Sequence, residues 1–354
     1  MNRGARGPLP KCSPPTVLPA PATAAPFLDA VPDARLPATA SPAERTRGAA
    51  FMATSALAFS GMSLFVKMAS AGLPAMEIVA VRSALMTLAS LAFLRAVGVS
   101  PWGVNRRLLL GRGVLGAVSL SLLYAGLGRL PLGDAVTIQN TAPVWTALFA
   151  ALVLGERLRT AVVVGVAACL AGVVLVAQPE ALFGASAVGL DPVGVAMVAV
   201  GAVFTGGAYT AVRKLRETDH PLPIIFTLSA VGLVVSVPFA LGGGWRWPTP
   251  AEWALLGGVG VCTQVGQWTL TRGLHLLDAA TATAVGYVQI VFAFGWGMLV
   301  FGDVPTGGRL AGAAVIVASV FALVARRPAV PQAASRGVVG GDAAGTTAAG
   351  AAAA

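Results

Sequence analysis

Ten apolar runs follow one another between Gly48 and Ala325 with only short breaks between them. They occupy 48–69, 74–97, 108–128, 133–154, 161–177, 193–215, 222–241, 252–273, 279–301 and 308–325. A hydrocarbon core about 30 Å thick needs roughly 20 residues of helix rising 1.5 Å each, so every run has about the length of one crossing. The runs are continuously apolar, whereas a membrane barrel strand alternates over about ten residues, so helices are expected. The breaks hold Gly, Pro and charge, the residues that stop helices. Charged residues make up only 11% of the chain, less than half the roughly 25% of a soluble domain. The chain reads as an all-α integral membrane protein with ten transmembrane helices.

The runs are also duplicated. The segment from Tyr124 to Leu158, YAGLGRLPLGDAVTIQNTAPVWTALFAALVLGERL, is echoed from Leu270 to Pro305 by LTRGLHLLDAATATAVGYVQIVFAFGWGMLVFGDVP. With Gly126 on Gly273, the residues Leu127, Leu130, Ala135, Gly155, Glu156 and Gly165 fall on Leu274, Leu277, Ala282, Gly302, Asp303 and Gly312 without a gap. Five spans per copy is an odd number, so the second copy enters the membrane in the opposite sense. The expected organisation is two inverted five-helix repeats, 48–178 and 190–327, and duplication of this kind points to a transporter. The Pro-rich segment 1–46 and the Ala/Gly-rich tail 328–354 have the composition of disordered ends.

Charge orients the chain, because Lys and Arg accumulate in cytoplasmic loops. An inside N-terminus puts thirteen basic residues in the cytoplasm, among them Arg45, Arg47, Arg106, Arg107, Arg157, Arg213 and Lys214, and leaves Arg129, Arg246 and Arg309 outside. A multi-pass protein of the cytoplasmic membrane with both termini inside is expected. The net charge of +10 then reflects anchors on anionic lipid, not a nucleic-acid surface.

The chain resembles the EamA-type members of the drug/metabolite transporter superfamily. The resemblance rests on Lys67, on Arg82 within EIVAVRSALM, on Tyr124, on the run around Pro143 and Glu156, and on GYVQIVFAFGWGMLVFGDVP in the ninth span. It covers Gly48 to Arg327 and implies a ten-helix permease of two inverted five-helix repeats. Two positions depart from the pattern. Asp303 stands where the repeat usually ends in Glu, and Ile290 stands where the first repeat has Pro143. The missing proline predicts a ninth helix less kinked than the fourth.

Polar groups inside spans are costly unless they face protein or water, so they mark candidate sites. Ser60, Ser63 and Lys67 share one face of the first span, and Arg82 lies about 10 Å along its helix from Pro74. One reading pairs Lys67 or Arg82 with Glu77 or Asp134 to hold the bundle together. The other makes them a cationic wall for a substrate. Further stripes are Thr137, Asn140 and Thr141; Thr205 and Tyr209; Gln264, Gln267, Trp268 and Thr271; and Thr283 with Tyr287. The candidate substrate-binding residues are Lys67, Arg82, Tyr124, Gln139, Asn140, Tyr209, Gln264, Trp268, Tyr287 and Gln289. Such side chains also join helices to one another at about 0.6 to 2 kcal/mol per contact. Gly308 and Gly312 form a GxxxG pair, with Ala161 and Gly165 as its repeat partner, fit for close helix contact within one subunit or between two. Gly206, Gly207 and the 257–260 cluster suit either bending or close packing.

Catalytic signals are missing. Two histidines, His220 and His275, form no cluster for a metal, and Cys12, Cys169 and Cys262 have no ligand spacing. No hydrolase, zinc-protease or phosphate-loop motif occurs, so neither an enzyme nor a cofactor is expected. The expected activity is secondary transport of a small polar or amphipathic metabolite, amino-acid-like or anionic, by alternating access, with proton coupling or exchange. The alternatives are a permease subunit with a separate energising partner, and a membrane enzyme using Glu156, Arg157 or Asp278. The substrate is the one small-molecule partner expected beside the bilayer, and the sequence leaves monomer and homodimer open.

Overall fold

The computed structural model describes residues 42–153, 160–183, 189–215, 218–243, 245–277 and 279–325. The predicted N-terminal and C-terminal disordered segments, apart from 42–46, lie outside the described residues, as do Glu156, Arg157 and Asp278. All regular structure among the described residues is helical. The helices are α1 (Pro42–Ala69), α2 (Ala75–Val97), α3 (Arg106–Leu127), α4 (Leu132–Gln139), α5 (Ala142–Val153), α6 (Thr160–Ala177), α7 (Pro192–Leu215), α8 (Pro221–Gly242), α9 (Pro250–Leu276), α10 (Ala279–Gly286), α11 (Val288–Trp296) and α12 (Gly307–Ala325). A single turn at Glu180–Phe183 and a π-helical turn at Gly297–Phe301 complete them.

Seven helices among the described residues are long and apolar enough to cross a membrane, and Val163–Ala177 and Gly307–Ala322 are shorter apolar helices. Large apolar side chains point outward, as lipid contact requires: Leu88, Val234, Val261 and Leu299 are each more than 60% exposed. Helix α1 starts at Pro42, six residues before the predicted span. A proline at a helix start forfeits no hydrogen bond, and Glu44 in the first turn complements the helix dipole.

Two spans are broken, and at matching positions. The fourth divides between α4 and α5: the Asn140 amide bonds back to Val136 O, while Val144 N tightens onto Thr141 O at 3.0 Å. Pro143 has no amide to offer, which loosens the ladder there. The ninth divides at Tyr287, where Ile290 N donates to Tyr287 O at 3.0 Å, and it ends in the π turn. The ninth span is thus interrupted without a proline. This break is one residue long, against two, Asn140 and Thr141, in the fourth span, and it is stabilised by a contact from outside the helix, described below.

The helices pack in antiparallel pairs. Along α1 and α9, Gly48 lies against Leu277, Met52 against Gly273 and Phe65 against Gly258, and Ser55 Oγ donates to Gly266 O at 2.9 Å. Along α3 and α7, Ser119 Oγ donates to Gly201 O at 2.8 Å and Gly126 lies against Val198. Helix α2 packs on α8, and α6 packs on α12. Gly312 meets Gly172 and Val176 there, so the GxxxG face is used within the chain. Gly206 and Gly258 are close-packing sites against Trp145 and Phe65.

These pairings define two ends of the bundle. At one end Asp219, between α7 and α8, accepts from the amides of Val104 and Asn105, between α2 and α3. At the other, Arg246 joins Gly72 O and Glu252, and Arg129 bridges to Asp191 at 3.1 Å. The principal core fills the Arg246 end: Val66, Ala69, Ile78, Val79, Tyr124, Leu127, Leu132 and Val198 are fully buried in it. Among the described residues two small, separate clusters, Met52 with Leu277 and Ala282, and Leu109 with Leu215 and Ile224, lie toward the Asp219 end, while the principal core also takes in Val144, Ala147, Tyr287 and Val320. One half of the bundle is solid and the other is split.

Candidate functional site

A cavity of about 230 Å³ opens in the split half. Met52, Ser55, Ala56 and Phe59 of α1 and Leu270 and Leu274 of α9 form its apolar side. Asn140 and Pro143 at one helix break, Tyr287 and Gln289 at the other, and Tyr209 of α7 supply its polar features. The breaks place these groups at mid-depth because an interrupted helix exposes backbone and side chains that a continuous one would turn away. Tyr287 is buried, and its phenol donates to Asn140 O at 3.0 Å. That carbonyl is one the broken α4–α5 ladder leaves unpaired, so one break caps the other. Apolar walls with a few convergent polar groups suit a small solute.

Four of the predicted site residues, Asn140, Tyr209, Tyr287 and Gln289, meet in this cavity. Gln139 does not. Its Nε2 donates to Thr205 Oγ1 at 2.9 Å, and Thr205 also contacts Ser119, so the three tie α4, α7 and α3 together. Gln264 and Trp268 are absent from the lining, because α9 turns Leu270 and Leu274 inward. Trp268 is half-exposed, edge-on to Phe51 at 6.0 Å and 5.1 Å from the Arg272 guanidinium. Most predicted threonines spend their hydroxyls on their own helices, as Thr137 on Gly133 O at 2.7 Å and Thr141 on Ile138 O at 2.8 Å. The side chain of Thr283 lies outside the described residues.

Arg82 and Tyr124 sit beyond the cavity, in the solid half. Both are buried and within electrostatic reach of each other, and Tyr124 Oη reaches Met62 Sδ at 3.7 Å. Glu77 does not pair with Arg82, as its Oε1 accepts the Arg246 amide at 3.0 Å.

Lys67 lies farther still, in a partly buried cluster of two cations and two carboxylates at the Arg246 end. Its ammonium donates to Leu130 O, stands 5.1 Å from the Phe301 ring and is within electrostatic reach of Asp303 and Asp134. Asp134 bridges to Arg309 at 3.2 Å, their side chains only 1% and 9% exposed. Helices α1, α4 and α12 and the turn after α11 are thereby locked together. Lys67 is absent from the cavity lining, and Asp134, a partner one reading gave it, is bridged by Arg309 instead.

The sequence reading missed Arg309 and Asp303 as cluster members, the α1 wall, and Arg112. Arg112 is the seventh residue of α3, buried, and within electrostatic reach of Tyr209 on the cavity wall. Its depth of about 9 Å along the helix is the signal that singled out Arg82. Among the described residues no group of three or more His, Cys, Asp and Glu is placed to hold a metal.

The comparisons fit this architecture. The model of the EamA-like transporter family matches twice, at 46–178 and 192–325. The pseudopaline exporter CntI of Pseudomonas aeruginosa is 36% identical over 265 residues, 75% of this chain and 91% of the relative. Human solute carrier family 35 member G1 is 30% identical over 277 residues, 75% of each chain. The riboflavin transporter of Vibrio cholerae is 27% identical over 286 residues, 77% of this chain and 91% of that one. A solved crystal structure shares the fold with a TM-score of 0.53 at 20% identity, covering 77% of this chain and 98% of the other. The family match spans both halves of the described chain, and its transporter-named relatives align over most of their own length: this chain belongs to the EamA-like transporter family.

Proposed function

We propose that the protein is a secondary transporter of the cytoplasmic membrane that moves a small polar or amphipathic metabolite by alternating access, without chemistry on its cargo. The observation that carries this reading is the asymmetry of the bundle. A mid-depth cavity lies toward the Asp219 end, and a solid core with a partly buried ion cluster closes the Arg246 end.

The proposed frame is ten crossings in two inverted halves, α1–α6 and α7–α12, with both termini in the cytoplasm. Reciprocal packing supports it. The α1–α9 contact is matched by α7–α3, the α1–α11 contact by α7–α5 and the α1–α10 contact by α7–α4. The α2–α8 and α6–α12 contacts each map onto themselves, as exchange of two related halves requires. On this frame the cavity faces the cytoplasm, and the cluster is the closed outer gate. Rocking of one half against the other opens the cluster while the two small cytoplasmic clusters merge. A single chain supplies both halves of the site.

Proteoliposome flux tests the reading. Labelled riboflavin and pseudopaline, the compounds in the relatives' names, lead a metabolite panel, with a pH gradient applied in each direction. Saturable flux of at least one compound, reduced in Asn140→Ala and Tyr209→Ala, supports the cavity as the site. Flux that ignores both substitutions removes the cavity from the pathway, and a response to the gradient separates proton coupling from exchange.

A further inference from the structure

We propose that Arg112 and Arg82 are two successive anion-binding stations on the transport path, so that the substrate carries a carboxylate or phosphate group. The inference rests on the transport reading above and narrows its substrate class.

The buried charges of the bundle do not balance. Glu77 is engaged by the Arg246 amide, Asp134 by Arg309, and Asp303 lies within electrostatic reach of Lys67. Glu77 keeps its charge, since a backbone amide is neutral, and among the described residues two buried guanidiniums are likewise without an ion-pair partner. Arg82 is 7% exposed and Arg112 is 9% exposed, and among the described residues no carboxylate lies within ion-pair distance of either. Arg82 Nε and both Nε and Nη1 of Arg112 have no hydrogen-bond partner. A guanidinium removed from water without a counter-charge is among the costliest groups a bundle can hold, and a leucine would fill either place without that cost. A transient anion supplies the missing charge.

Their surroundings suit such a ligand. Each arginine has a tyrosine beside it, Tyr209 for Arg112 and Tyr124 for Arg82. A guanidinium fork with a phenol donor matches the planar oxygens of a carboxylate or the tetrahedral oxygens of a phosphate. The stations lie in sequence along the path. Arg112 stands by Tyr209, on the cavity wall. Arg82 and Tyr124 stand by Met62, which follows the cavity residue Phe59 by one turn of α1 and precedes Lys67 of the gate. Closing the open end hands the anion from the first station to the second. Beyond them Arg309 is bridged to Asp134, and Lys67 is held on Leu130 O within electrostatic reach of Asp303 and Asp134, so neither is as free to trap it.

The test uses the full chain in proteoliposomes exposed to a small-molecule extract of bacterial cytosol, with captured compounds identified by mass spectrometry. Wild type is compared with Arg112→Ala, Arg112→Lys, Arg82→Ala and Arg82→Lys, and each variant's melting temperature is recorded. The captured compounds are expected to carry a carboxylate or phosphate. Uptake falls about tenfold or more in each alanine variant, the loss expected for a charge-assisted hydrogen bond, and the lysine variants retain an intermediate rate. Wild-type capture of compounds without any acidic group overturns the inference and leaves the transport reading standing. So does wild-type uptake of acids by an alanine variant that melts normally. Capture of nothing overturns the transport reading, and the inference with it. Should an alanine variant fail to fold, the identity of the captured compounds and the lysine variants decide the question.

Discussion

The Tyr287 phenol donates to the Asn140 backbone oxygen at 3.0 Å across 147 residues of sequence, the same offset that sets Gly273 on Gly126. Equivalent positions of the two copies therefore meet, and each is where its helix breaks. Tyr287→Phe removes the hydroxyl and strands a buried carbonyl, which costs about 1–3 kcal/mol. A lower melting temperature in detergent with the helix content unchanged is the expected result, read by thermal unfolding followed by circular dichroism.

The Asp134–Arg309 bridge is buried on both sides. Removing one member leaves an unmatched charge, so Asp134→Asn or Arg309→Gln alone is expected to destabilise by about 3–5 kcal/mol. The double variant should recover part of that loss. A double-mutant cycle on thermal stability measures the coupling, and additive effects would show that the two side chains act independently.

Gly206→Ala is expected to destabilise by about 1–3 kcal/mol. The new Cβ would stand 2.5 Å from Trp145 Cβ and 2.9 Å from Thr146 N, so backbone must move and α5 must separate from α7. Gly295→Ala is the control. A Cβ there meets nothing within 4 Å, and the alanine is expected to be neutral or stabilising by about 0.5–1 kcal/mol. Parallel melting curves of the two variants check the contrast.

Asp219 gives a pH dependence outside the spans. Burial opposes its charge, but the Val104 amide, the Thr218 hydroxyl at 2.7 Å and the Asn105 amide at 3.3 Å outweigh it and hold its pKa below the ordinary 3.8. The folded protein thus favours the ionised form more than the unfolded chain does. Its contribution is complete above the ordinary value and is lost as pH falls through the lower folded one. Asp219→Asn should flatten the acid side of a melting-temperature profile taken from about pH 6 to about pH 3, and an unchanged slope would rule the group out.

Hydropathy and the repeat made the apolar helices and the membrane class legible, since burial in lipid constrains nearly every residue of a span. The breaks at Asn140 and Tyr287 were not legible as a pair, because Tyr287 holds one open through a contact 147 residues away. Periodicity placed Lys67 correctly on a polar face of α1 but does not say what packs there. That depends on Leu130, Phe301 and Asp303, from distant segments. The polar stripes of Asn140, Tyr209 and Tyr287 reach the cavity, whereas the similar stripe of Gln264 and Trp268 is absent from its lining. Arg112, in the first turns of α3, meets the same depth argument as Arg82.

Side-specific accessibility tests alternating access most directly. Gln289→Cys in the cavity and Leu127→Cys in the solid core are made separately, with Cys12, Cys169 and Cys262 replaced by alanine, in membrane vesicles of known orientation. A membrane-impermeant maleimide should label position 289 only from the cytoplasmic side and leave 127 untouched. Adding Asp134→Asn should expose 127 from the outside and slow labelling at 289. Labelling of 289 from both sides, or no change at either position when Asp134 is neutralised, would contradict a gate at that cluster and the alternation built on it.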